Sequence, residues 1–219
     1  ISFRNIFLLD NGKRAYLEIY KDNIFIISGN GLLNFINVKD LELDNPLIFF
    51  AKIDNNLNQF IGIVTTDTEN DGHNNSTDVL GIKGMKIINE HIYISYVKEV
   101  SKECYTTAVL RAELNLKNLN FREFFSPDQC IQRYQETGRF YPYLTGGAMH
   151  SYKENKILLS IGEYGYLKNS QNLETLFGKI IALNEDGTHN VISYGHRNPQ
   201  GIVYNEIDDV IVNSEHGPS

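Results

Sequence analysis

The chain has 219 residues, 42% of them apolar and 21% charged, which is ordinary globular material sufficient for one large domain or two small ones. A net charge of −7 argues against a nucleic-acid partner, which calls for a basic face. No apolar run approaches the length of a membrane span; the longest, "NPLIFFAKI" from Asn45 to Ile53, is strand-sized.

Taken in chain order, four segments share one pattern. They are "RAYLEIYKDNIFIISGNG" from Arg14, "GMKIINEHIYISYVKE" from Gly84, "GAMHSYKENKILLSIGEYG" from Gly147 and "GIVYNEIDDVIVNSEHG" from Gly201. Each sets a short apolar run, a polar tight turn and a β-branched run in sequence, which predicts a hairpin. The turns fall near Asn23, Asn89, Asn155 and Asp208, with spacings of 66, 66 and 53 residues. A third strand is predicted after three of the hairpins, in "LLNFINV" at Leu32, "TAVLRAELNL" at Thr107 and "GKIIALNEDGT" at Gly178. "NPLIFFAKI" and similar runs supply candidate fourth strands. The best helical candidate, "NLETLFGKI" from Asn172, amounts to one turn at most. Repeated small antiparallel sheets predict an all-β fold of β-propeller type, against a β-sandwich as the alternative. The fourth unit carries only its first two strands, so about three and a half blades are expected in residues 1–219, as part of a longer natural domain.

Cys104 and Cys130 lack CxxC spacing and are too few for a disulfide framework; one bridge and two free thiols both remain open. "DTENDGHNNSTD" from Asp67 to Asp78 is rich in oxygen ligands but lacks the spacing of a calcium-binding EF-hand loop, and it reads as a solvated loop. "NNST" from Asn74 formally permits glycosylation. No phosphate-binding glycine loop, serine nucleophile elbow or metal-spaced His pair is present. No signal peptide is visible, and a chain beginning at Ile1 is not expected to show its natural N-terminus.

In a propeller, the loop before a blade's first strand and the loop after its second lie at the same end. That rule gathers Tyr143, Glu163, Arg197, Asn198, Gln200, Glu215 and His216 at one mouth of the central channel, where such folds hold ligands. Arg197 supplies a planar, permanently charged fork suited to carboxylates. Asn198 offers both donor and acceptor, and Pro199 stiffens the loop. Carbonyls of Gly217 and Pro218 suit a hard cation such as Ca²⁺. An anionic planar ligand fits this set. The alternative is that Arg197 pairs with Glu215 and the Pro and Gly residues only shape turns.

"GHRNPQG" followed by "SEHGP" resembles the signature of the soluble quinoprotein glucose dehydrogenases, also called the glucose/sorbosone dehydrogenase family. "GIKGMKIINEHIYISY" is similar to the family's "GLLG…YVSY" segment, "TGGAMHSYKENKILLSIGEYG" to its "GGR…LYV(S/T)xGD" segment, and "LFGKIIALNEDGT" to its "GKILRIDPDG" segment. The resemblance runs from about Gly81 to the end. It implies a propeller of the six-bladed type that oxidises a sugar or related alcohol with pyrroloquinoline quinone and Ca²⁺ and passes electrons to an acceptor. It also implies a periplasmic or secreted protein. A propeller of the same family that binds a carbohydrate or a protein without catalysis is the alternative.

By that resemblance Arg197, Asn198 and Gln200 contact the cofactor, and Gly217 and Pro218 donate carbonyls to the metal. Glu163 stands at the Asp of the family's "GD" pair, close to the catalytic base. The base itself, a His in the family, is replaced by Tyr143, two residues before Thr145-Gly146. A tyrosine, with an ordinary pKa near ~10, is a poor base at neutral pH. His150, nearby in sequence, is expected inside a strand with a structural role. The family's Gln or Glu ahead of "GLLG" is also missing: Val79 and Leu80 precede Gly81, with Asp78 as a candidate substitute.

Overall fold

The computed structural model describes residues 15–41, 50–61, 80–134 and 140–217. The acidic loop at 67–78, the "NNST" segment, Val79 and Pro218 lie outside them.

The described chain is all-β apart from one five-residue α-helix, Leu167–Gln171, and short 3₁₀ turns. Sheet one contains β1 (Ala15–Tyr20), β2 (Asn23–Ser28), β3 (Leu33–Asn37) and β4 (Ala51–Asn55). Sheet two contains β5 (Ile82–Ile88), β6 (His91–Ser101) and β7 (Cys104–Glu113). Next in the chain is β8 (Asn118–Leu119), which crosses back to pair in parallel with β4 of sheet one. Then β9 (Arg122–Phe125) and β10 (Ile131–Gln132) both pair with β7. Sheet three runs in order through β11 (Gly146–Tyr152), β12 (Lys156–Ile161), β13 (Lys179–Leu183) and β14 (His189–Tyr194), and sheet four is the hairpin of β15 (Pro199–Asn205) and β16 (Val210–Glu215).

The four expected hairpins are thus β1–β2, β5–β6, β11–β12 and β15–β16, all antiparallel. Their turns need left-handed backbone, which Asn and Asp tolerate best. Asn89, Asn155 and Asp209 sit at φ of 48°, 63° and 53°. The first strands β1, β5, β11 and β15 pack side by side, so the sheets succeed one another around them in a propeller-like arrangement. Three apolar clusters fill the successive gaps. Phe25, Ile53 and Ile94 lie between sheets one and two, Tyr93, Leu159 and Phe177 between two and three, and Leu158, Ile202 and Tyr204 between three and four.

A serine in each second strand (Ser28, Ser95, Ser160 and Ser214) marks the repeat. Two of these pin neighbouring sheets together: Ser95 Oγ donates to the Gly147 carbonyl at 2.6 Å, and Ser160 Oγ to the Pro199 carbonyl at 2.7 Å. Cys104 and Cys130 are bridged, with Cα atoms 5.4 Å apart, tying the start of β7 to the segment entering β10. The helix is not at "NLETLFGKI"; that stretch is turns leading into β13.

Candidate functional site

Four loops converge at the end of sheets three and four remote from the hairpin turns. They are 141–145 before β11, 162–166 after β12, 195–198 before β15, and 216–217 after β16. Backbone hydrogen bonds lock them together. Gly162 N–H donates to Thr145 O at 3.0 Å, Tyr164 N–H to Leu144 O at 2.9 Å, Glu163 N–H to Arg197 O at 2.9 Å, and His216 N–H to Asn198 O at 3.2 Å. These bonds bring together the loops that carry Tyr143, Glu163, Arg197, Asn198 and His216, with Glu215 at the end of β16 and Gln200 following in β15.

Arg197 is the hub. Its Nη1 donates to the Gly217 carbonyl at 2.7 Å, and its Nε lies 3.7 Å from Glu163 Oε1. Its backbone N–H donates to Glu215 Oε2 at 3.0 Å. Proximity of Arg197 and Glu215 is as expected, but the guanidinium's ion pair is with Glu163. The reason is local geometry: Glu215 is already engaged by the Arg197 backbone and stands 3.5 Å from His196 Nδ1.

Glu163 is only 3% exposed, and its Oε2 has no hydrogen-bond partner. Burial pushes its carboxyl above the usual carboxylate range, and the Arg197 charge partly offsets that. The next residue, Tyr164, is fully buried in left-handed backbone at φ 59°, with its hydroxyl 2.8 Å from Thr107 Oγ1. A bulky residue there is held by its surroundings.

Asn198 is 3% exposed, and its Oδ1 accepts the Gly146 N–H at 3.1 Å, so it clasps the starts of β11 and β15. Gln200 is exposed, in the bulge between Pro199 and Gly201. Tyr143 is partly exposed in the turn leading to β11. His150 lies on β11, where its Nδ1 accepts the Tyr204 N–H at 3.3 Å, a structural contact as expected.

Sequence reasoning missed His196, which links Ser193 Oγ (2.8 Å from Nε2) to Glu215 and so steadies the acid that holds Arg197. Its position inside "GHRNPQG" was the available signal. Among the described residues there is no group of three or more His, Cys, Asp or Glu side chains placed to hold a metal, and no helix long and apolar enough to cross a membrane.

An all-β, propeller-like protein with a charged loop cluster at one end of its inner strands is the class that fold and site define. Within it, the description Glucose / Sorbosone dehydrogenase matches residues 87–219, more than half of the chain, and the chain belongs to that family. No curated protein sequence matches it. Among solved structures, it is similar to a glucose dehydrogenase (20% identity, TM-score 0.62), covering 96% of this chain and 64% of that one. It is similar also to the soluble aldose sugar dehydrogenase of Escherichia coli in its apo form (20%, 0.60), covering 96% and 58%. The PQQ-bound aldose sugar dehydrogenase of Streptomyces coelicolor gives 14% and 0.61, covering 95% and 62%. At these identities the likeness is one of fold. The chain spans less than two thirds of the length of each.

Proposed function

We propose that the protein is a quinone-dependent dehydrogenase oxidising a sugar or a related small alcohol, its site built on the loops around Arg197. The observation that carries this reading is the partly exposed Arg197 guanidinium set against a buried Glu163 whose second oxygen lacks a donor. One residue offers an anion its counter-charge, and the other offers a hydroxyl its acceptor. Family membership supports the activity, and the quinone named for the Streptomyces coelicolor structure supports the cofactor.

The residues present fit an anionic quinone. Arg197 binds a carboxylate through its fork, which fixes the ligand's plane as a lysine could not. Asn198, with Oδ1 held by Gly146, offers its Nδ2 hydrogens, and Gln200 lies exposed beside it. When bound, the quinone supplies the two-electron acceptor that no side chain can. The chain's own residues position it, keep Glu163 dry, and receive the substrate's hydroxyl proton; Tyr143 and Glu163 are the residues nearest that task. The fit to Ca²⁺ is poorer. Gly217's carbonyl already serves the Arg197 cation, a divalent ion there would meet like charge, and Pro218 is outside the described residues. Calcium use is part of the proposal on the family resemblance alone.

Three further readings belong to the same proposal. About three and a half sheets within 64% of a glucose dehydrogenase's length points to a ring of about six blades, of which residues 1–219 form a sector. The Cys104–Cys130 bridge supports an exported, periplasmic or secreted protein, because disulfides persist in oxidising compartments. An electron acceptor completes turnover.

The test is calorimetric titration of the full-length protein with pyrroloquinoline quinone at saturating Ca²⁺, followed by dye reduction with a panel of aldoses. Arg197→Lys keeps the charge and loses the fork, so it is expected to weaken quinone binding by about tenfold or more while leaving the melting temperature nearly unchanged. Unchanged affinity would leave Arg197 as no more than a turn-shaping residue.

A further inference from the structure

The two oxygens of Glu163 are in different states. Oε1 faces Arg197, whereas Oε2 is enclosed with no donor at all. Buried acceptors without donors are rare in folded proteins and mark places where a ligand or a reaction supplies the missing hydrogen. The backbone that carries this carboxylate is held in place. Its backbone N–H is bonded to Arg197 O at 2.9 Å, its carbonyl accepts the Tyr166 N–H at 3.0 Å, and Tyr164 beside it is fixed in left-handed backbone.

We propose that Oε2 of Glu163 accepts the hydroxyl proton of the alcohol substrate, and that Arg197 arms it by turning its charge to an anionic cofactor. This rests on the dehydrogenase reading above. The substrate's O–H bond breaks and its proton joins Oε2; the C–H hydrogen leaves with two electrons to an oxidised quinone, and the alcohol carbon becomes a carbonyl. The proton acceptor is thereby moved from Tyr143, in the loop before β11, to Glu163, in the loop after β12. A carboxylate already destabilised by burial is a better base at neutral pH than a phenol, which would first have to lose its own proton. Among the described residues, Arg197 is the charged group whose field acts on Glu163 and opposes the effect of burial. An anion that neutralises Arg197 removes that opposition, so cofactor binding raises the proton affinity of Glu163 at the moment the base is needed.

Three measurements on the full-length protein test this. Infrared difference titration without cofactor should show one carboxyl, absent from Glu163→Gln, titrating above the ordinary carboxylate range and moving further up in Arg197→Gln. An ordinary titration, or no response to Arg197→Gln, overturns the proposal whether or not any quinone binds. Calorimetry in buffers of different ionisation enthalpy should then show proton uptake when pyrroloquinoline quinone binds to the parent, lost in Glu163→Gln at similar affinity. Equal uptake in both proteins overturns the coupling. In dye reduction, Glu163→Gln should lower kcat by about 100-fold or more with KM and quinone affinity retained, and Glu163→Asp should recover part of the loss with a shifted pH profile. A Glu163→Gln protein within a few fold of the parent rate overturns the assignment. A parent that never binds the quinone sinks the dehydrogenase reading instead, and the infrared result still decides for or against Glu163.

Discussion

Lys179 and Glu163 are both buried and charged, yet they stand in opposite situations. The Lys179 side chain is fully enclosed, and its Nζ donates to the carbonyls of Asn169 at 2.9 Å, Ser170 at 3.0 Å and Phe177 at 2.8 Å. Burial lowers its pKa, but three carbonyl acceptors, two in the short helix and one in the turn before β13, hold the ammonium in place. Lys179→Met should therefore strand three carbonyls and cost about 3 kcal/mol or more, read as a lower urea midpoint at unchanged slope. Glu163 has the reverse balance, because its Oε2 is unsatisfied. Its folded pKa is raised from an ordinary 4.5, so the stability it contributes is present below that value and lost as pH rises through the folded pKa. Glu163→Gln is thus expected to melt higher than the parent at neutral pH, with the advantage fading under acid conditions; a thermal scan across pH checks the sign. The sequence revealed Arg197 and Glu163 as site candidates because charged residues in Gly-flanked loops stand out. It could not reveal the role of Lys179, since "GKI" reads as the start of a strand and burial is not written in the letters.

Hairpins were legible for a physical reason: β-branched runs alternate with polar turns, three of which place Asn or Asp at a left-handed position (Asn89, Asn155 and Asp209), while the first uses Lys21. The helix at Leu167–Gln171 was not, because five residues without a side-chain N-cap bond have no periodic signature. Tertiary contacts fix it, chiefly Lys179. The parallel pairing of β8 with β4 was equally hidden, as two residues carry no pattern. Glycines at the seam between sheets two and three were visible as strand starts, but their function needs the neighbouring sheet. A Cβ on Gly147 would meet Lys83 Cβ at 2.2 Å, and its φ is 102°. Gly147→Ala must therefore separate β11 from β5 or distort the backbone. It is expected to destabilise by roughly 2–4 kcal/mol and to disturb Ser95 Oγ, which bonds the Gly147 carbonyl. Denaturant unfolding of the variant measures this, and a loss under ~0.5 kcal/mol would mean that the two sheets are not tightly docked.

A sheet in such an arrangement is dry on both faces only when it has a neighbour on each side. Sheet three has both, and β12 and β13 are buried almost throughout. Sheet one turns Tyr16 and Tyr20 toward sheet two, yet shows Leu17 (60% exposed) and Ile19 (66%) on its other face. Sheet four buries Ile202 and Tyr204, yet shows Val203 (53%) and Val212 (60%), which face each other across the hairpin. Apolar residues scattered singly on a surface need no explanation, but rows of them on an unpaired sheet face do. In the ring proposed above both rows would be covered. A polypeptide of residues 1–219 produced alone should consequently associate with itself and bind a hydrophobic dye such as ANS. Leu17→Lys combined with Val212→Lys should weaken both effects without altering the β-sheet signal in circular dichroism, because neither side chain takes part in the three apolar clusters. Sedimentation velocity over a concentration series is the measurement. A sharp monomer boundary at every concentration for the parent polypeptide would show that these two faces are stable against water, and the case for covering sheets on either side would lose its physical basis.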